Sequence, residues 1–115
     1  MTLGPQYSML AAIFGGNTNY SKSDQEELWH SYVGKRVTWT GVVGGEWGLG
    51  SSGNIRVIFK QSKGGVLVFF DHFTWGTTIE RLRYGMQVKY SGDLDAYRVG
   101  HETGFELVNG AIVDY

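Results

Sequence analysis

Apolar and polar positions alternate along Arg36-Val37-Thr38-Trp39-Thr40-Gly41-Val42-Val43, with β-branched and aromatic residues enriched, as in a strand buried on one face. The same period of two returns in Asn54-Ile55-Arg56-Val57-Ile58-Phe59-Lys60, in Val66 to Phe70 and in Met86 to Leu94. A last strand is predicted from Phe105 to Val108 and Ala111 to Val113, broken by the turn-prone pair Asn109-Gly110. Gly41 marks a bend where the first strand curls, and Lys63-Gly64-Gly65 reads as a hairpin turn.

Two stretches follow a helical period instead. Ser23-Asp24-Gln25-Glu26 has the form of a capping box, and Leu28, Trp29 and Tyr32 then give one apolar face before Gly34. Between Phe73 and Tyr84, Thr77 or Thr78 caps a short helix carrying Ile79, Leu82 and Arg83, stopped by Gly85.

The order is helix, three strands, helix, two strands. That connectivity predicts a mainly β fold, a five-stranded Greek-key OB-fold barrel with a helix between strands 3 and 4 and a short N-terminal helix. Residues 1–22 read as an N-terminal appendage to the OB-fold domain of 23–115. Their apolar patch, Met9 to Phe14, is expected to pack on the barrel or against a second copy, because an exposed apolar hexamer invites aggregation.

Residues also point to a family. Tyr32-Val33-Gly34-Lys35-Arg36-Val37-Thr38-Trp39-Thr40-Gly41-Val42-Val43 resembles the opening Y-x-G-K-x-V-x-W/V-T-G-x-V of small OB-fold proteins of the tRNA-anticodon-binding-like family. The strand Val66 to Phe70 entering Asp71, Tyr84-Gly85 before Val88, and Ser91-Gly92 with Asp95 and Tyr97 agree in order. So does a terminal Phe105-x-Leu107 strand ending near Ile112-Val113, and the likeness covers about residues 24–115. The resemblance implies the OB fold and a nucleic-acid role by analogy of fold.

Composition narrows the chemistry. At 115 residues with 15% aromatics the chain can bury one core, and with no cysteine it has neither disulfides nor thiolate metal sites. The apolar stretch Tyr7 to Phe14 is too short to span a bilayer, and no basic region precedes it, so the expectation is a cytoplasmic protein without a membrane span.

The formal charge of −1 is uneven. Residues 35–63 hold Lys35, Arg36, Arg56, Lys60 and Lys63 against Glu46, whereas residues 93–115 hold Asp93, Asp95, Glu102, Glu106 and Asp114 against Arg98. OB barrels present strands 2 and 3 to oligonucleotides, and alternation turns Arg56, Ile58 and Lys60 outward there. The bland reading of these charges is a solubilising sheet face. Trp47, in the glycine-rich loop between strands 1 and 2, either meets a ligand or folds over the barrel mouth. Trp39 has core parity, and one of Phe69 and Phe70 must face outward as a candidate stacking platform.

The candidate nucleic-acid-binding residues are therefore Arg36, Trp47, Arg56, Lys60 and Lys63, and the candidate partner is single-stranded DNA or RNA. The competing reading is a protein-interaction or assembly domain with no nucleic-acid role. Catalysis finds little support: His30, His72 and His101 lie on separate elements, and Asp93 with Asp95 lacks a third ligand. No nucleophile motif, phosphate loop or zinc spacing occurs, so a binding module without cofactor or metal is expected rather than an enzyme.

Overall fold

The structure is a computed structural model that describes residues 4–15, 18–44, 53–62, 64–98 and 103–115. Its elements are α1 (Tyr7–Phe14), α2 (Lys22–Tyr32), β1 (Arg36–Val43), β2 (Asn54–Gln61), β3 (Gly64–Asp71), α3 (His72–Glu80), β4 (Gln87–Arg98) and β5 (Thr103–Asp114). The strands close into a barrel in the order β1-β2-β3-β5-β4. β3 and β5 run parallel and every other neighbouring pair runs antiparallel. This is the OB-fold arrangement expected from the element order, with α3 between the third and fourth strands.

Alternation sets the inside. Val37, Trp39 and Val43 of β1, Ile55, Val57 and Phe59 of β2, and Val66, Val68 and Phe70 of β3 are all buried. Trp39 thus takes the core position its parity predicts, and of the two phenylalanines it is Phe69 that faces outward. Phe59 and Tyr90 stack 4.1 Å apart at the centre, and the Tyr90 hydroxyl accepts from Gln61 Nε2 at 2.6 Å. Burial raises the Tyr90 pKa well above the ordinary phenol value, so it stays neutral.

The apolar patch of the N-terminal segment is a helix docked on its own barrel. Leu10 and Phe14 are fully buried and Tyr7 nearly so, while Met9 remains exposed. Tyr7 meets Trp39 and Phe105 edge-on at 5.3 and 5.7 Å, and the Trp39 indole donates to the Pro5 carbonyl at 2.8 Å. Buried Gln25 of α2 donates to the Ile13 carbonyl at 2.9 Å, so α2 and α1 hold each other. Among the described residues no helix is long and apolar enough to cross a membrane.

Four local expectations are corrected. α2 starts two residues before the predicted box: its N-cap is Ser21, whose hydroxyl accepts from the Asp24 N–H at 3.1 Å. Ser21-x-x-Asp24 carries the same capping logic as the box at Ser23. β2 pairs with β3 from Gln61↔Gly64 onward, so Gly64 and Gly65 open a strand instead of forming the turn.

α3 begins at His72, not near Thr77, because Asp71 caps it: Oδ2 accepts from the Thr74 N–H at 2.9 Å and the Thr74 hydroxyl at 2.7 Å. Ile79 then lies buried inside the helix, and Leu82 is buried just after it.

Asn109-Gly110 is no break either, for β5 is continuous. Ser91 faces Ala111 and Asp93 faces Val108, so β5 carries one residue more than β4 over that interval. The extra residue makes a β-bulge, with Asn109 in the left-handed region at φ 54°. Gly110 is required beside it: a Cβ there would fall 2.6 Å from Val68 Cγ1 and 2.9 Å from the Phe70 ring.

The Asp71 cap makes a prediction about acid. Its two bonds from Thr74 hold the carboxyl below the ordinary aspartate value, so the cap stabilises fully above the unfolded pKa and weakens as pH falls through the lower folded one. In calorimetric melts between about pH 5 and pH 2, Asp71→Asn should show a shallower loss of Tm than the wild type, since an asparagine cap does not titrate. Parallel curves would mean that the cap adds no acid sensitivity.

Candidate nucleic-acid interface

The register of β2 against β3 decides which outward side chains meet. Arg56 faces Phe69, Ile58 faces Leu67, and Lys60 faces Gly65. Directly opposed residues in antiparallel strands have Cβ atoms about 4.5–5.5 Å apart, so each pair shares one patch of surface. Arg56 and Lys60 are exposed, Ile58 is 37% exposed, and Leu67 and Phe69 are half-buried. A strip of apolar surface with a cation at each end runs along this face.

Lys60 closes one end. Its stem lies so close over Gly44 that a Cβ on Gly44 would fall 2.3 Å from Lys60 Cγ. Its ammonium sits 5.6 Å from the centroid of the Tyr84 ring and 3.3 Å from the Tyr84 hydroxyl. Tyr84 is 71% exposed, which leaves ring surface open beside a cation.

At the other end the strip runs into a groove of about 580 Å³ lined by Asn54, Phe69, Asp71, Trp75, Asp95, Val108, Asn109 and Gly110. Phe69 and Trp75 are half-buried, and among the described residues neither ring packs against another aromatic. Among the described residues no Lys or Arg lines the groove, whereas two carboxylates do. Next to it on α3, Phe73 is 92% exposed, with His72 as its ring neighbour at 5.5 Å.

The five residues singled out from the sequence fall into three groups. Arg56 and Lys60 share the strip. Trp47 and Lys63 lie outside the described residues. Arg36 stands apart from Lys60: Val42 of β1 faces Lys60, and Arg36 lies six positions back along β1, roughly 20 Å at 3.3 Å per residue, bordering the groove through its partner Asn109.

Arg36 also has work of its own. Its guanidinium donates to Asp93 Oδ1 at 3.0 Å, the Asn109 carbonyl at 3.1 Å and the Ser91 hydroxyl at 3.0 Å, while Asn109 Nδ2 donates to Asp93 Oδ2 at 3.1 Å. That network fastens the β5 bulge to β4 and β1. Glu106 is similarly paired, with Arg98 at 2.9 Å, so the acidic strands carry less free charge than their sequence suggests.

Trp75 and Tyr84 were not among the candidates. Trp75 was legible only with α3 placed correctly, and the signal for that was Asp71-x-x-Thr74. Tyr84 stood in a turn, and only the tertiary fold brings it to Lys60. His30 and His72 are exposed on separate helices, and among the described residues no three His, Cys, Asp or Glu side chains converge as metal ligands.

No family model matches the chain and no curated protein is similar to it, so the anticodon-binding-like resemblance rests on the residues quoted above. Solved structures do match. The Stn1–Ten1 complex of S. pombe aligns over 98% of this chain and 79% of its own, with TM-score 0.58 at 11% identity. A Klebsiella pneumoniae lipoprotein named for nucleic-acid binding aligns over 96% and 99%, with TM-score 0.58 at 19% identity. The mitochondrial single-stranded DNA binding protein Rim1 of S. cerevisiae aligns over 70% and 95%, with TM-score 0.50 at 15% identity. Barrel order, the helix between β3 and β4 and these likenesses together establish an OB fold.

Proposed function

We propose that the chain is a binding module for single-stranded nucleic acid, and that the strand lies across the outer face of β2 and β3. One observation carries this reading: the cross-strand pairs Arg56–Phe69 and Ile58–Leu67 form an apolar strip that ends on Lys60 and Tyr84. Stacking on ring faces with cations tracking the backbone is how OB barrels hold single strands without reading sequence. The names of Rim1 and the Klebsiella lipoprotein support the reading by analogy. Trp47, in the loop joining β1 to β2, and Lys63, between β2 and β3, are proposed as further contacts from their place in the chain.

A second reading, a protein-assembly domain, is favoured by the exposed Phe73 and by a formal charge of −1. Its route through the Met9–Phe14 patch is weakened, since Leu10 and Phe14 are consumed by the chain's own core.

Anisotropy titration of labelled mixed-sequence single-stranded DNA and RNA separates the two. Binding should be tightest at low salt, and Arg56→Ala should reduce the slope of log affinity against log salt by roughly one. Arg36→Ala should leave that slope unchanged, because its guanidinium is committed to Asp93 and Asn109. No anisotropy change at about tens of micromolar protein in low salt would sink the proposal, since the electrostatic attraction is strongest there.

A further inference from the structure

We infer that the groove between β3, α3 and β5 is a base pocket that prefers guanine, a specificity that rests on the single-strand reading and goes beyond it. Of the outward carboxylates on these strands, Asp93 is held by Arg36 at 3.0 Å and Glu106 by Arg98 at 2.9 Å, and Asp71, which lines the groove from β3, caps α3 by accepting from Thr74 through Oδ2. Asp95, which lines the groove, has no hydrogen bond or ion pair among the described residues. Phe69 and Trp75 line the same space with rings that no other ring among the described residues covers. The groove therefore offers ring faces for stacking and an acceptor-only group at the edge.

A carboxylate sorts bases by their donors. Its two oxygens accept and never donate when ionised, so they match two adjacent N–H groups. Guanine presents that pair on its Watson–Crick edge, the ring N1–H and the exocyclic amino group. Cytosine and adenine each set an amino group beside a ring nitrogen acceptor, and thymine or uracil flanks its single N–H with two carbonyls. Each of these meets Asp95 with at least one repelled lone pair.

Charge also argues against a basic peptide as occupant. The groove opens beside Arg56, which faces Phe69, and the strip beyond leads to Lys60. A cationic chain would cross both, whereas a nucleotide strand can set its phosphates near them and its base in the acidic groove.

The test uses the whole chain and a labelled oligothymidylate in which one central thymine is replaced by guanine, inosine or adenine. One guanine should tighten binding about tenfold over the parent, and inosine, which lacks the amino group, should lose most of that gain. Asp95→Asn should abolish the guanine preference while binding of the plain oligothymidylate holds or tightens, because a negative charge leaves the surface. Trp75→Leu should weaken every oligonucleotide by a similar factor, leaving the preference intact.

Equal affinities for all four oligonucleotides, unmoved by Asp95→Asn, would overturn the base pocket and leave the single-strand reading standing. No binding by any oligonucleotide would remove both. Capture of an arginine-rich peptide that is lost in Asp95→Asn, with no guanine preference, would assign the groove to a protein partner instead.

Discussion

Phe14→Ala is expected to destabilise the protein by about 3–5 kcal/mol, the range for deleting a buried phenylalanine, with a drop in Tm of roughly 10–20 °C. Phe14 is fully buried, and its ring contacts Trp29 and Tyr32 of α2, Tyr97 of β4 and Phe105 of β5, with centroids 4.7 to 6.4 Å away. Truncation would leave a cavity bounded by four large rings, which cannot all move inward together. Phe14→Leu should recover much of the loss by refilling the space. Amide exchange adds a second readout: residues 7–14 should exchange faster in Phe14→Ala than β2 and β3 do, because α1 would then be held without its largest fully buried side chain. A loss below about 1 kcal/mol would mean that α1 is a dispensable appendage, whatever its contacts.

That outcome bears on what the chain showed before folding. The barrel was legible because it depends on side-chain alternation, and Val37, Trp39, Ile55, Val57 and Phe59 could face only inward. Elements whose ends depend on a single hydrogen bond were harder. Ser21 and Ser23 both stand three residues before an acidic side chain, and sequence has no means of ranking two equal caps. Asp71 looked like a strand end next to a histidine, and its role as the α3 cap emerges only because Thr74 turns back to it. Asn109-Gly110 has the composition of a turn, yet the pairing of β4 on one side and the approach of Phe70 on the other make it a bulge.

The candidate site divides along the same line. Arg56 and Lys60 follow from the parity of one strand, so their shared face was available from the sequence. Arg36 has the same parity argument within β1, but which residues stand beside it depends on register, and the register sets it against Asp93. Trp75 reaches the groove from a helix, and Tyr84 reaches Lys60 from a loop, so neither has a period that sequence can follow. Charge counting misled in a further way, because Asp93 and Glu106 are paired whereas Asp95 has no ion pair among the described residues.

Phe69→Ala should weaken single-strand binding by about 1–3 kcal/mol, a loss of roughly 5- to 150-fold in affinity, and should do so with little change in salt dependence. Among the described residues, Phe69 is the one that belongs both to the β2–β3 strip, through its pairing with Arg56, and to the groove. A base stacked there is held by ring surface, which salt does not screen, whereas Arg56 contributes through counterion release. The two variants therefore predict opposite signatures: Phe69→Ala lowers affinity by a similar factor at every salt concentration, and Arg56→Ala lowers it most in dilute salt. Because Phe69 is half-buried against the outer sheet face, each titration should be paired with a thermal melt, so that lost binding is separated from lost fold. Phe69→Leu refines the point, keeping apolar area but removing the flat ring, and it should restore stability more fully than affinity. If Phe69→Ala folds normally and binds as the wild type does, the strand does not cross this face, and the exposed Phe73 beside it becomes the starting point for a protein-assembly surface.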